Sequence, residues 1–169
     1  MAVLVLLGGG CTLGEDDGRS AGERFEMPTY LLLLPDGWGA GVDDDPSAHE
    51  QVGFSGRSRG VGGNIVRDPV GSEPIRARIE RIGSSSRESE GVIRVGPSHQ
   101  REEDVDGQEA WLVDATFDPA LTGEPPFTTR TIGFEHDGSD YVVSFNAPAA
   151  SFDRHAEELD ELLGSWEFV

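Results

Sequence analysis

The most explicit catalytic pattern in this chain is the segment Gly56-Arg57-Ser58-Arg59-Gly60. It matches the G-x-S-x-G motif of hydrolases, in which a strained turn between a strand and a helix exposes the serine near backbone N–H donors. His136 and His155 follow in the sequence and could serve as the base, with acidic residues available as partners. The flanks do not fit the motif, because the residues before it make a poor strand and Val61-Gly62-Gly63-Asn64 a poor helix start. We therefore expect a protein that is not an enzyme, and keep a small secreted serine hydrolase using Ser58 as an alternative.

The single cysteine, Cys11, follows the apolar run from Ala2 to Leu7 and three glycines. One cysteine forms no internal disulfide, and structural zinc sites need several Cys or His ligands at short spacing. A core cysteine and a catalytic thiol are alternatives, but the flanking glycines lose much freedom on ordering and the acids at 15–17 resist burial. Small residues after an apolar leader are typical of a secretory cleavage site.

The segment Leu7-Gly8-Gly9-Gly10-Cys11 resembles the lipobox of prokaryotic lipoproteins, whose cysteine is diacylated and becomes the new N-terminus. Gly8 stands where that family usually has leucine, and no basic residue precedes the apolar run. The resemblance implies a partial lipoprotein signal over residues 1–11 and a lipid anchor on Cys11. We therefore expect a protein held at the extracytoplasmic face of the cell membrane through this lipid, and residues 12–26 predict a disordered polar tether. A soluble cytoplasmic binding protein, with an ordinary strand at Val3 to Leu7, is the alternative.

Charge limits the partners of this chain. Its 32 acidic residues outnumber 13 basic ones, which gives a formal net charge of -19. A field of that sign repels phosphate backbones and anionic lipid surfaces, so we expect no nucleic-acid partner. All of the basic residues are arginines, and without lysine no Walker A phosphate loop is complete.

Two kinds of charged cluster could still bind something. Arg57, Arg59 and Arg67 could form a site for an anion or for a partner protein through bidentate contacts. The acids at 43–45, at 102–106 and at Asp137 and Asp140 lack the spacing of an EF-hand. We expect no metal site and no cofactor.

The apolar pattern predicts mostly strands. Tyr30 to Leu34 is a short apolar run that ends at Pro35-Asp36-Gly37, with Pro and Gly at the second and fourth positions of a type I turn, and Trp38 follows as a lid on the core. Residues 39–71 predict irregular structure, with a short helix after Pro46. Alternation predicts further strands at 75–79, 111–117, 128–135 and 141–147, with a polar loop at 84–90 and a hairpin turn at Asp106-Gly107.

The C-terminal residues change to helical spacing, with apolar residues at 152, 156, 159, 162 and 163. Ser151 is a suitable N-cap, Gly164 suits a left-handed residue at the end of the helix, and Ser165 to Val169 predicts a short last strand. Antiparallel strands backed by such a helix predict an α+β fold.

Several of these segments, in this order, resemble the PsbP-like fold: an apolar strand into Pro-Asp-Gly-Trp, Asp106-Gly-Gln-Glu-Ala before a long strand, and a closing helix of the form Phe-x6-Leu-x2-Leu-Leu-Gly-Ser-Trp-x-Phe. Bacterial members of that family include lipoproteins of the LpqN kind. The resemblance covers residues 27–169 and implies one domain, an antiparallel sheet packed between helices as an α/β/α sandwich. It also implies a protein that binds or scaffolds and has no common active site. We expect it to be a monomer.

Overall fold

The computed structural model describes residues 22–42, 50–71, 73–119 and 124–169. These residues form the strands β1 (Glu23–Glu26), β2 (Tyr30–Leu34), β3 (Gly39–Val42), β4 (Glu50–Ser55), β5 (Gly62–Pro69), β6 (Val92–Val95), β7 (His99–Gln100), β8 (Trp111–Phe117), β9 (Phe127–His136), β10 (Ser139–Pro148) and β11 (Glu167–Phe168). Helix α1 spans Ile75–Arg87, and helix α2 spans Phe152–Gly164 after a 3-10 turn at Ala149–Ser151.

The strands form two antiparallel sheets. The larger one has the order β3-β4-β5-β10-β9-β8-β6, with β7 also paired to β8, and the smaller one has the order β1-β2-β11. Helix α1 packs on one face of the large sheet, against β6, β8 and β9, while α2 contacts β10 and β2 on the other side. The predicted α+β class, with a C-terminal helix and a short last strand, is confirmed. The structure adds a second, three-stranded sheet where one sheet was expected.

Two tight turns have the backbone conformation of β-hairpins. Asp137 and Gly138 have positive φ values of 43° and 71° between β9 and β10, as a type I′ turn requires. Asp106 and Gly107 have the same conformation, with φ values of 47° and 77°. The strands and turns predicted at 106–107, 128–135 and 141–147 are therefore confirmed.

The strand predicted at 75–79 is wrong, because these residues begin helix α1. Ile75, Ile79 and Gly83 are its buried residues, and their spacing of four places them on one helical face. A pair of apolar residues four apart satisfies a strand period as well as a helical one. The polar loop predicted at 84–90 is also corrected, because the helix continues to Arg87. The hydroxyls of Ser84 and Ser86 donate to carbonyls one turn back, at 3.0 and 2.9 Å.

The irregular region predicted at 39–71 instead contains the three strands β3, β4 and β5. Glycine occupies several positions of these strands, so their sequences show no apolar alternation, but it suits their packing. A β carbon at Gly63 would collide with the carbonyl oxygen of Ser144 on the neighbouring strand. It would also lie 2.9 Å from the ring of Phe54. The short helix predicted after Pro46 falls partly on residues outside the described ranges, and from Glu50 the chain is strand β4.

Three smaller predictions also change. The tether predicted at 12–26 is corrected at its end, because Glu23–Glu26 form β1; Phe25 is its one apolar side chain, so no pattern marked it. The turn after β2 is shifted by one residue: Trp38 N–H donates to the Pro35 carbonyl at 3.0 Å, which puts Gly37, with φ of 77°, third rather than fourth. Gly164 ends α2 without a positive φ, and Ser165 follows in a helical conformation.

The main core lies between the large sheet, the small sheet and α2. Trp38 is buried there, as predicted, and stacks on Phe54 and Phe145 with ring centroids 5.7 and 5.9 Å apart. Tyr30 of β2 stacks on Trp166, with centroids 4.4 Å apart, and meets Tyr141 of β10 edge-on. These ring contacts join the small sheet to the large one. Burial raises the pKa of the Tyr30 hydroxyl, and the charge of Glu50 adds to that rise.

Helix α1 approaches the sheet closely at two glycines. A β carbon on Gly133 would lie 2.8 Å from the Ile75 and Ile79 side chains, and one on Gly83 would lie 2.9 Å from Val113. The absence of side chains at these positions therefore gives the helix room to seat its two isoleucines.

A network of charges holds the N-terminal half of α1 to the sheet. Asp68, Asp140 and Glu135 are register neighbours on three adjacent strands. Arg78 bonds Asp68 at 2.7 Å and Asp140 at 3.2 Å, while a Glu135 oxygen accepts the Ile75 N–H at 2.9 Å. Burial raises the pKa of Asp140, and Arg78 partly offsets that rise.

Candidate functional site

The residues of the G-x-S-x-G pattern lie in the loop between β4 and β5. Gly56 N–H donates to the Val61 carbonyl at 3.1 Å, and Val61 N–H donates to the Ser58 carbonyl at 3.2 Å. Gly60 has a φ of 79°, the left-handed conformation that closes the turn. The loop joins two antiparallel strands and no helix follows it, so the strand–turn–helix geometry of a nucleophile elbow is absent here.

The structure separates the three arginines predicted to form one binding cluster. Arg67 lies in β5, about 16 Å along the strand from the loop at 3.3 Å per residue, and bonds Glu50 at 3.4 Å. Arg57 and Arg59 both lie in the loop, but they line different cavities. Arg57 bonds Asp36 at 3.0 Å. A single three-arginine anion site is therefore not formed, and the loop itself becomes the candidate site.

On one side, the loop meets helix α2 across a cavity of about 350 Å³, which we call the loop–helix cleft. Its walls come from the turn after β2, from the loop and from the first half of α2: Asp36, Trp38, Arg57, Ser58, Val61, Arg154, His155 and Glu158. Acidic and basic side chains both line this cleft. Arg57 pairs with Asp36, and His155 contacts Glu158.

His155 is the buried polar residue of the cleft, with 4% of its surface exposed. Arg154 approaches its Nε2 at 3.3 Å, and since a guanidinium can only donate, Nε2 must accept. Nδ1 then carries the proton and donates to Glu158 at 3.0 Å. Sequence reasoning singled out His155 but missed Arg154 and Glu158; the i,i+3 spacing of His155 and Glu158 on a predicted helix was the available signal.

On its other side, the loop borders a second cavity of about 640 Å³, which we call the Arg59 pocket. The start of β9 and the end of β10 supply its remaining walls, and the lining residues are Arg59, Gly60, Glu124, Pro125, Phe127, Asn146 and Pro148. Of these, Arg59 and Gly60 belong to the G-x-S-x-G pattern, and Arg59 was singled out from the sequence as a binding residue. The other five come from distant parts of the chain and share no motif.

A third cavity, of about 610 Å³, lies near β6 and the start of α2, with Asp114, Thr116, Thr128 and Phe152 in its lining. Three of these polar side chains bond within the protein. Asp114 accepts two hydrogen bonds from Arg130, both at 2.9 Å, and the hydroxyls of Thr116 and Thr128 lie 3.0 Å apart. These groups therefore offer a ligand little that the protein does not already use.

The other predicted features are placed as follows. Cys11 and the acids at 43–45 lie outside the described residues. His136 stacks on Phe168, with centroids 3.6 Å apart, well away from the loop in sequence and in the sheet. Among the described residues, no group of three or more His, Cys, Asp or Glu is arranged to hold a metal ion. No helix in the described ranges is long and apolar enough to cross a membrane.

No family model and no curated protein matches this chain. Solved structures do match. The cyanobacterial PsbP (CyanoP) from Synechocystis superposes with a TM-score of 0.62 at 15% identity, over 93% of this chain and 99% of that one. The Saccharomyces cerevisiae Ran-binding protein Mog1p gives 0.54 at 11% identity, over 88% and 96%. A Pseudomonas aeruginosa protein of unknown function gives 0.52 at 15% identity, over 86% and 96%. At these identities the likeness concerns the fold alone, and that fold is PsbP-like.

Proposed function

We propose that this chain is a lipid-anchored extracytoplasmic protein whose PsbP-like domain binds a small ligand or another protein and performs no catalysis. The observation that carries the binding part is the β4–β5 loop, which stands between two cavities on this fold. A Ran-binding protein has the same fold, which supports a binding role for the domain of this chain. The apolar leader and small residues before Cys11 support the anchor.

Metabolic labelling with a fatty-acid probe tests the anchor. The chain is expressed in a bacterial host together with any in-frame codons upstream of Met1, beside the variant Cys11→Ser. We expect label and membrane association in the wild type and neither in the variant. A wild-type chain that is unlabelled and fractionates with the cytosol would overturn the anchor and favour the cytoplasmic alternative.

The hydrolase alternative is favoured by one observation, because Ser58, His155 and Glu158 line the same cleft. The hydrogen of His155 points to Glu158, as in a serine–histidine–acid triad. Against it, Arg154 occupies the Nε2 that would accept the serine proton. Hydrolysis of p-nitrophenyl butyrate by the wild type and Ser58→Ala separates the two functions. We expect no Ser58-dependent turnover, and turnover lost in the variant would establish the hydrolase.

A further inference from the structure

We propose that the Arg59 pocket binds a ligand with a terminal carboxylate on an apolar body. This inference rests on the proposed binding function and names the ligand class of one of the two cavities beside the loop.

The first step is the free cation at the pocket. Arg59 occupies the corner of the turn from Ser58 to Val61, where it is exposed to solvent. Two residues earlier, Arg57 is paired with Asp36. Arg59 makes no ion pair within the part of the chain that the structure describes, so its five N–H donors are available to a ligand.

Asn146 supplies a second donor. Its Oδ1 accepts a hydrogen bond from the Thr129 hydroxyl at 2.6 Å, which fixes the orientation of the amide. The amide NH2 group is then left to donate. A guanidinium and an amide NH2 in one pocket select an acceptor, and a carboxylate accepts from both with charge assistance.

The remaining walls are apolar. Phe127, Pro125 and Pro148 line the pocket, and Phe127 is held by stacking on Phe117 with centroids 5.1 Å apart. Gly60 contributes no side chain, and a β carbon there would meet nothing within 4 Å. The volume of about 640 Å³ lies in the range of small-molecule sites. Such a surface favours an alkyl or aromatic body behind the carboxylate.

Charge limits the ligand to a single anionic group. Glu124 also lines the pocket and opposes a second negative charge, as does the net charge of -19. A polyphosphate or a nucleic acid would need several cations, and this pocket offers one. A free apolar acid and the C-terminal residue of a partner protein both satisfy this chemistry.

Amide-resolved NMR titration of the full-length chain tests the assignment, with Cys11→Ser in every sample so that no lipid is attached. Octanoate represents a free acid, and octan-1-ol is its uncharged control. The peptide acetyl-Ala-Ala-Leu represents a protein C-terminus, and its C-terminal amide is the control. We expect a carboxylate to shift the Gly60 backbone amide and the Asn146 side-chain amide, and the acid that binds more tightly indicates the source.

Three variants make the test specific. Arg59→Gln should weaken carboxylate binding by at least about tenfold, since charge-assisted hydrogen bonds are the strong ones. Glu124→Gln should strengthen it, and Arg81→Gln, at an exposed arginine of helix α1, should leave it unchanged. Binding that is equal for acid and alcohol, binding unaffected by Arg59→Gln in a folded variant, or no shift with either acid at millimolar concentration would overturn the inference. Labelling of Cys11 is measured separately, so failure of the anchor is distinguishable from failure of the pocket.

Discussion

Replacing Arg78 with methionine should destabilise the protein far more than replacing Arg81, which lies one turn further along the same helix. The Arg78 side chain is 24% exposed and bridges Asp68 and Asp140, the latter with a side chain only 2% exposed. Arg81 pairs with Glu73 at 3.0 Å, but its side chain is 58% exposed. The two substitutions thus remove the same chemical group from a buried network and from a solvated pair.

The expected cost follows from what each change leaves behind. Removing one partner of a buried ion pair costs about 3–5 kcal/mol, because the remaining charge is left buried without compensation. We expect Arg78→Met to lower the free energy of unfolding by about 3 kcal/mol, at the lower end of this range, because water reaches part of the network. An exposed pair contributes at most about 1 kcal/mol, so Arg81→Met should cost no more than that.

The pH dependence has a definite sign. The pKa of Asp140 is raised above its ordinary value of 3.8 by burial, so the native state holds this proton more tightly than the unfolded chain. Its contribution to the free energy of unfolding therefore declines as the pH rises through the interval above that value. Without Arg78, the bonds that lower the pKa of Asp140 are lost and the pKa rises further. The deficit of Arg78→Met should then be larger at neutral pH than near about pH 4.

Urea denaturation of the wild type and both variants, at neutral and at acidic pH, measures these differences. Equal losses for Arg78→Met and Arg81→Met at neutral pH would refute the assignment of a buried network. A deficit for Arg78→Met that does not shrink on acidification would refute the role given to Asp140.

Two further predictions concern packing. Gly133→Ala should lower the free energy of unfolding by about 1–3 kcal/mol in thermal or urea denaturation, because the new methyl would lie 2.8 Å from the isoleucines of α1. The control Gly39→Ala meets nothing within 4 Å and should change stability little, so equal effects would contradict the close approach of the helix. Leu159→Ala should lower the free energy of unfolding by about 2–5 kcal/mol, because this leucine is fully buried on α2. Leu33 is 45% exposed, so Leu33→Ala should cost much less, and a small loss at Leu159 would show that α2 does not cover the core.

The candidate site was predictable in part. Ser58 stood out through the G-x-S-x-G pattern, and Arg57 and Arg59 stood out as possible anion-binding residues in a strongly acidic chain. The sequence did not predict that Arg57 and Arg59 line different cavities. That outcome depends on the side of the loop toward which each side chain extends. The partners of Arg59 in its pocket, Phe127 and Asn146, lie more than sixty residues away in the chain. No local pattern links residues at such separations.

The elements whose apolar spacing fits only one period were predictable from the residues alone. Tyr141 to Ala147 alternates at strand spacing, as do residues 128–135, and the turn residues between them favour positive φ. Phe152 to Leu163 repeats only at helical spacing. Where the apolar pattern was short, or where glycine replaced apolar residues, contacts with distant parts of the chain set the secondary structure. Ile75 and Ile79 fit either period, and the room above Gly133 makes them one face of a helix. Strands β3 to β5 form because neighbouring strands satisfy their backbone groups, even though glycine leaves them with little apolar pattern. Side-chain periodicity reports burial on one face, whereas backbone pairing and close approach depend on neighbours that are distant in the chain.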